Sequence, residues 1–341
     1  MRIGIVNDMA LTVEVLKRVL ALNPRHHIAW VARTGQEAVE KCAQDTPELV
    51  LMDLIMPQLD GVEATRRIMA NSPCAILVVT VSVGKNAWKA FEAMGHGALD
   101  AVDTPTFGSG DWRTNAAPLL AKIEIIGKMV KDRNGRLTPP LQAPRGINTS
   151  GNQHVRLLAI GASAGGPAAV NQILAGLPCD FPAAVVVVQH VDERFAQGMA
   201  DWLGQESRLP VRVAREGDEP AMGTVLLGGT NDHLVVGADG RLHYKRQPVE
   251  YVYRPSVDVF YQSLSLHWKG PVVGVLLTGM GRDGALGLKA LRNQGQHTIT
   301  QDEASSAVYG MPKAAAKLAA AVEILSLERI PSRLTQIWRA G

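Results

Sequence analysis

Short apolar runs alternate with stretches of helical apolar spacing along this chain, and that alternation constrains its fold more than any other feature. "RIGIV" (Arg2 to Val6), "HIAWVA" (His27 to Ala32), "LVLM" (Leu49 to Met52) and "AILVVT" (Ala75 to Thr80) read as strands, with "ALDAV" (Ala98 to Val102) as a short last one. Between them Ala10 to Leu22, Gly35 to Gln44 and Val62 to Ala70 carry apolar residues at helical spacing, and a final helix is expected from about Asn115 to Lys131. Strands separated by helices build βαβ units around a parallel sheet.

The texture then breaks. "NGRLTPPLQAPRGINTSGNQH" (Asn134 to His154) is rich in Pro, Gly and polar residues and has no period, as a linker has. Beyond it the alternation restarts with "RLLAI", "AAVVVV", "VRVAR", "GTVLLG", "HLVVG", "RLHYKR" and "PVVGVLL". The expected organisation is an α/β domain over 1–131, a linker over 132–154, and a second, doubly wound α/β domain with a mostly parallel sheet over 155–341. A length of 341 residues accommodates two such domains, and 46% hydrophobic residues supply their cores.

The 35 basic and 32 acidic side chains nearly balance, which gives no electrostatic reason for a nucleic-acid or anionic-membrane partner. No compact basic helix-turn-helix pattern follows the linker. Cys42, Cys74 and Cys179 form no disulfide framework or zinc spacing, and each is expected as a buried structural thiol in a reducing cytosol. "MRIGIVND" is not expected to be a signal peptide. The run "FPAAVVVV" is too short to span a bilayer, so a soluble cytoplasmic protein without membrane insertion is expected.

In the first domain Asp8 follows the first strand, Asp53 the third, and Thr80 ends the fourth. If the strand order is flavodoxin-like, these residues meet at the carboxyl edge of the sheet, where open α/β sheets bind ligands. Two carboxylates and a backbone carbonyl suit Mg²⁺. Taken singly, each Asp reads more readily as a turn or helix-cap residue. The combination with "MPQLDG" resembles the receiver domains of two-component response regulators, over Met1 to about Pro105. The resemblance implies a flavodoxin-like five-stranded parallel sheet. It makes Asp53 the phospho-acceptor, Asp8 a direct Mg²⁺ ligand together with Asp53, and Thr80 the hydroxyl that follows the phosphoryl group. Two positions depart from it: Asn7 stands where paired acids are usual, and Thr104 stands before Pro105 where a lysine is usual.

In the second domain Gly161-Ala162-Ser163-Ala164-Gly165 fits G-x-S-x-G, a strand-to-helix turn that lifts a serine above a sheet. The pattern lacks the endings of phosphate loops. A nucleophilic serine needs a base. His190 ends the apolar strand "AAVVVVQH", at the same edge as Ser163 if the strands are parallel, and His233 is the runner-up. Asp283 lies in the glycine-rich turn of "PVVGVLLTGMGRDGALGLKAL", either as the carboxylate that orients the imidazole or as a cap of the following helix.

The serine–histidine–aspartate chain order is not that of α/β-hydrolases. "GASAGGP", "VVVQH", "YRPSVDVF", "LLTGMGRDG" and "QDEASSAVYGMP" resemble, in order and spacing, the catalytic domain of the chemotaxis protein-glutamate methylesterases. A receiver in front completes that family's architecture. The resemblance implies Ser163 as nucleophile, His190 as base, Asp283 as its partner, and the Met280 N–H as an oxyanion-hole donor. It places "YRPSVDVF", with Arg254, Ser256 and Asp258, near the mouth of the site. Arg254 is then either a substrate-side residue or a buried ion-paired one. Ala164 departs from the usual Thr or Ser. The implied activity is phosphorylation-regulated hydrolysis of glutamate methyl esters on a methyl-accepting chemoreceptor, with glutamine deamidation as the harder variant. A histidine kinase would be the phosphodonor, and the esterase chemistry would need no cofactor. The unusual receiver suggests a paralogue serving a non-flagellar chemosensory pathway. The competing reading is a response regulator whose second domain only binds a partner.

Overall fold

A computed structural model describes residues 1–81, 87–105, 112–132, 155–249, 251 and 253–339. It divides into two compact units, Met1–Leu137 and Thr138–Gly341. The expected linker, apart from Asp132, lies outside the described residues.

The first unit runs β1 (Arg2–Val6), α1 (Ala10–Ala21), β2 (His27–Ala32), α2 (Gly35–Gln44), β3 (Leu49–Met52), α3 (Gly61–Asn71), β4 (Ala75–Thr80), α4 (Ala87–Gly95), β5 (Asp100–Asp103) and α5 (Trp112–Asp132). Its five strands are all parallel, in the order β2-β1-β3-β4-β5. Helix starts follow local chemistry: the Thr34 hydroxyl accepts the Glu37 N–H and the Asp60 carboxylate the Glu63 N–H. Helix α4 was not among the expected elements, although Ala90, Phe91, Ala93 and Met94 recur at helical spacing and are buried. Ile3, Ile5, Leu49, Leu51, Leu77 and Val79 form one core layer with Leu16, Leu119 and Ile123.

The second unit runs β6 (Leu157–Ala162), α6 (Gly166–Gly176), β7 (Ala184–Gln189), α7 (Glu193–Glu206), β8 (Val211–Val213), β9 (Val225–Leu227), β10 (His233–Val236), β11 (Leu242–Lys245), α8 (Val257–His267), β12 (Val272–Leu276), α9 (Ala285–Asn293), β13 (His297–Gln301), α10 (Met311–Lys317), β14 (Glu323–Leu325) and α11 (Ile330–Arg339). Seven strands form a parallel sheet in the order β14-β13-β12-β6-β7-β9-β8. Strands β10 and β11 do not join it but pair with each other as a separate antiparallel ribbon. The chain leaves β6 toward β7 on one side and returns past it to β12 on the other, so the order reverses at β6. Ligands bind at such switch points, outside the carboxyl ends of the strands. Strand β13 reads as polar, yet Thr298, Thr300 and Gln301 are fully buried. The Thr298 and Thr300 hydroxyls donate to the Ala320 and Leu276 carbonyls, which removes the cost of burying them.

Two of the three cysteines differ from expectation. Cys42 is buried, Cys74 only partly so, and Cys179 is exposed, because it sits in the turn between α6 and β7. Among the described residues no helix is long and apolar enough to cross a membrane.

Candidate active site

Three loops at the carboxyl edge of β6, β7 and β12 bring Ser163, His190 and Asp283 into one hydrogen-bonded line. Ser163 Oγ lies 3.0 Å from His190 Nδ1, and His190 Nε2 lies 2.8 Å from Asp283 Oδ2. An ionised carboxylate only accepts, so Nε2 carries the proton and Nδ1 offers its lone pair to the serine hydroxyl. Asp283 stays ionised in spite of its surroundings. Burial pushes the carboxyl up, and donors from His190, Ser256 and Val257 more than offset this, leaving it below the ordinary range.

Those donors come from the start of α8. Ser256 Oγ donates to Asp283 Oδ1 at 2.7 Å, Asp258 N–H to Oδ1 at 3.1 Å, and Val257 N–H to Oδ2 at 2.7 Å. Asp283 is therefore an anion seated on the N-terminus of α8, where unpaired N–H groups favour negative charge. It does not cap α9, whose first turn follows Gly284 in a left-handed conformation. His233 is not a second base. It is fully buried, Nε2 donates to the Pro248 carbonyl at 2.9 Å, and Nδ1 accepts the Ser256 N–H at 3.1 Å. Its role is to hold the loop that presents Ser256.

The serine turn is rigid. Ser163 N–H donates to Thr278 O, and Ser163 O accepts from Gly166 N–H and Gln189 Nε2. The Thr278 hydroxyl donates to Ala164 O. Gly165 has φ +72°, and a Cβ there would lie 2.5 Å from Ala307 Cβ. At Gly161 a Cβ would lie 2.2 Å from Val257 Cγ1, so the missing side chain lets α8 reach the serine strand. The Ser163 N–H is committed to Thr278 and is not free to bind an oxyanion. Among the described residues the Met280 N–H has no acceptor. The backbone just before it runs close to the serine, since a Cβ on Gly279 would come within 2.7 Å of Ser163 Cβ.

At the edge of the first sheet Asp53 is buried, with Asp8 exposed beside it. Asp53 Oδ1 accepts the Leu54 N–H at 2.7 Å, and Oδ2 accepts the Asn7 amide at 2.8 Å. Burial pushes the Asp53 carboxyl up, the Thr80 hydroxyl and the Ile55 and Leu54 N–H groups pull it down, and the Asp8 charge adds to the rise. Asp8 caps no helix, because α1 starts after Met9 without a side-chain cap. Two carboxylates at one sheet edge, near enough for their charges to repel, fit a hard divalent cation such as Mg²⁺. Asn7 is turned to other work: its amide serves Asp53 and its carbonyl oxygen accepts the Met9 N–H. The Thr104 N–H donates to Thr80 O, while its hydroxyl oxygen is buried with no partner among the described residues.

The family model for CheB methylesterase matches residues 158–334, and that for the response regulator receiver domain matches residues 3–106. The chain belongs to the CheB methylesterase family. It is 58% identical over 338 residues to protein-glutamate methylesterase/protein-glutamine glutaminase 3 of Pseudomonas aeruginosa, covering 99% of this chain and 100% of the relative. It is 58% identical over 341 residues to protein-glutamate methylesterase/protein-glutamine glutaminase 2 of Cupriavidus metallidurans, covering 100% of this chain and 99% of the relative. The crystal structure of the Thermotoga maritima CheB methylesterase catalytic domain superposes with a TM-score of 0.52 at 32% identity, over 54% of this chain and 98% of that one.

In this methylesterase Arg254 is exposed, and among the described residues it has no ion-pair partner. It lines a cavity of about 500 Å³ with Asn231, Asp232 and Arg246. Sequence reasoning missed the support around the triad. Gln189 and Thr278 stand inside "VVVQH" and "LLTGMGRDG", with no role read for either. Tyr253, whose ring stacks on His190, was quoted only as part of "YRPSVDVF", although an aromatic residue three positions before a helix-capping serine was a signal that could have been used.

Proposed function

We propose that this chain is a phosphorylation-regulated serine esterase that hydrolyses glutamate methyl esters on a methyl-accepting chemoreceptor. In this reading a receiver occupies residues 1–131 and the esterase residues 155–341. The continuous hydrogen-bonded line Ser163–His190–Asp283 supports catalysis over a second domain that merely binds a partner. Ser163 Oγ attacks the ester carbonyl carbon as His190 Nδ1 takes its proton. The oxyanion forms against the Met280 N–H, and Asp283 stabilises the imidazolium. Collapse of the tetrahedral intermediate releases methanol, which leaves with the proton from His190. Water, activated by the same nitrogen, then splits the acyl-enzyme into free glutamate and Ser163. Glutamine enters the same path with ammonia as the leaving group, a harder departure because the nitrogen must be protonated. Arg254 and its cavity supply a substrate-side contact.

On the receiver, Asp53 accepts the phosphoryl group from a histidine kinase, and Thr80 follows it. Asp8 and Asp53 would hold Mg²⁺, which supplies charge neutralisation for the phosphoryl donor. The setting is the cytoplasm, in a chemosensory pathway that is not the flagellar one. The deciding experiment is methanol release from methylated receptor membranes by Ser163→Ala. The rate should fall by roughly 10³-fold or more while the fold is retained. A variant near wild-type rate sinks the assignment.

A further inference from the structure

The two in-plane contacts of His190 leave one motion free. Hydrogen bonds at Nδ1 and Nε2 fix the ends of an axis across the imidazole, but the ring can still tilt about that axis. The contact that blocks the tilt comes from Tyr253. Its ring stacks face to face on the imidazole, with centroids 4.3 Å apart and planes 8° from parallel. The same loop enters α8, so one segment grips the base twice: Tyr253 on the ring face, and Ser256 with the α8 N–H groups on the carboxylate behind it.

We propose that Tyr253 is a positioning residue for the hydrolysis, holding the His190 plane and stabilising the imidazolium through its π face. This rests on the reading of Ser163 and His190 given above. The face of an aromatic ring carries negative charge and attracts a cation within about 6 Å of its centroid. A neutral imidazole gains only stacking from that face. The attraction to charge appears when the Ser163 proton reaches Nδ1 and vanishes when the leaving group takes it. An interaction that strengthens only as charge develops lowers the barrier without tightening substrate binding. Both acylation and deacylation pass through the imidazolium, so the effect belongs in kcat whichever step limits it. The hydroxyl is not the working group: burial, and then the Asp283 charge, push the phenol up, so it stays protonated and neutral.

The test is methanol release by the full-length protein from methylated receptor membranes, with kcat and KM measured separately. Tyr253→Phe should stay within about threefold of wild type, and Tyr253→Leu should lose roughly 5- to 30-fold in kcat with KM within about twofold. Because leucine also changes packing, phenylalanine carrying one, two and five ring fluorines is placed at position 253. This withdraws electron density at nearly constant shape, and log kcat should fall steadily along the series. Ser163→Ala is run alongside. A flat fluorine series, a Tyr253→Phe loss equal to that of Tyr253→Leu, or a change confined to KM overturns the role of Tyr253. If Ser163→Ala still releases methanol, the underlying reading of the site fails instead.

Discussion

Asp283→Asn removes the charge of the carboxylate and also decides which tautomer His190 keeps. Four donors converge on Asp283: His190 Nε2–H and Val257 N–H on Oδ2, Ser256 O–H and Asp258 N–H on Oδ1. In one orientation the asparagine oxygen keeps the His190 and Val257 bonds, the Ser256 hydroxyl turns to accept, and both the Asp258 N–H and the hydroxyl proton lose their acceptor. In the other the oxygen keeps the Ser256 and Asp258 bonds, the imidazole moves its proton to Nδ1 so that Nε2 accepts from the amide NH₂, and the Val257 N–H alone is unmet. One unmet buried N–H costs about 1–3 kcal/mol, so the second arrangement is the better paired. It leaves a proton on the nitrogen that must take one from Ser163. At roughly 4 Å and an effective dielectric near 20, a carboxylate–imidazolium pair is worth about 4 kcal/mol. Losing that charge alone lowers kcat by about 10³-fold, and the wrong tautomer brings the loss to about 10⁴-fold, measured as methanol release from methylated receptor membranes. A loss of less than about tenfold would refute the assignment of charge stabilisation to Asp283. A loss of no more than about 10³-fold would refute the change of tautomer, since it would mean that Nδ1 still takes the serine proton.

Burial pushes the Asp258 carboxyl up to about 6, from an ordinary 3.8, against a bond from the Gly287 N–H and with the Asp283 charge adding to the rise. A raised folded value means that its contribution is fully present below pH 3.8 and is lost as pH climbs through about 6, a total of about 3 kcal/mol. Asp258→Asn keeps the Gly287 bond and does not titrate, so its stability advantage in urea unfolding should grow by about 1.4 kcal/mol between pH 5 and pH 8; no growth, or a decline, counts against a buried charge there. On the receiver, Asp53→Asn should abolish the activation of esterase rate by a small phosphodonor with Mg²⁺. Thr104→Lys should increase that activation, since an ammonium bonds a phosphoryl oxygen roughly twice as strongly as a neutral hydroxyl; an unchanged or lowered response refutes the account of Thr104.

What was legible in the sequence was what is local. Ser163, His190 and Asp283 each end or follow an apolar run, so a parallel sheet alone carries them to one edge. What was not legible depends on contacts between segments distant in the chain. No spacing rule joins Asp283 to the start of α8, with Ser256 27 positions away. The runner-up histidine shows the same limit. His233 lies at the start of its strand much as His190 lies at the end of another, but both its nitrogens are spent inside the fold. Strand β13 is legible only as a segment that His297 begins or precedes, because Ile299 shares its buried positions with Thr298, Thr300 and Gln301, whose hydrogen bonds the sequence does not display.

The two strand-end aspartates carry this furthest. Asp53 and Asp283 look alike in sequence, and both are buried to the same degree, 7% exposed. Burial raises both carboxyls equally in kind, so the difference must come from the donors. Asp283 faces two helix N–H groups, a hydroxyl and an imidazole that can become cationic, and it is held ionised, as a group that stabilises charge must be. Asp53 has Thr80, two backbone N–H groups and the Asn7 amide, but a second carboxylate stands beside it, and burial wins. A carboxylate that its surroundings disfavour is one that gains from a cation. The opposite shifts of two similar residues thus follow from one rule applied to two neighbourhoods, and they match a permanent anion in one domain and a transiently modified one in the other.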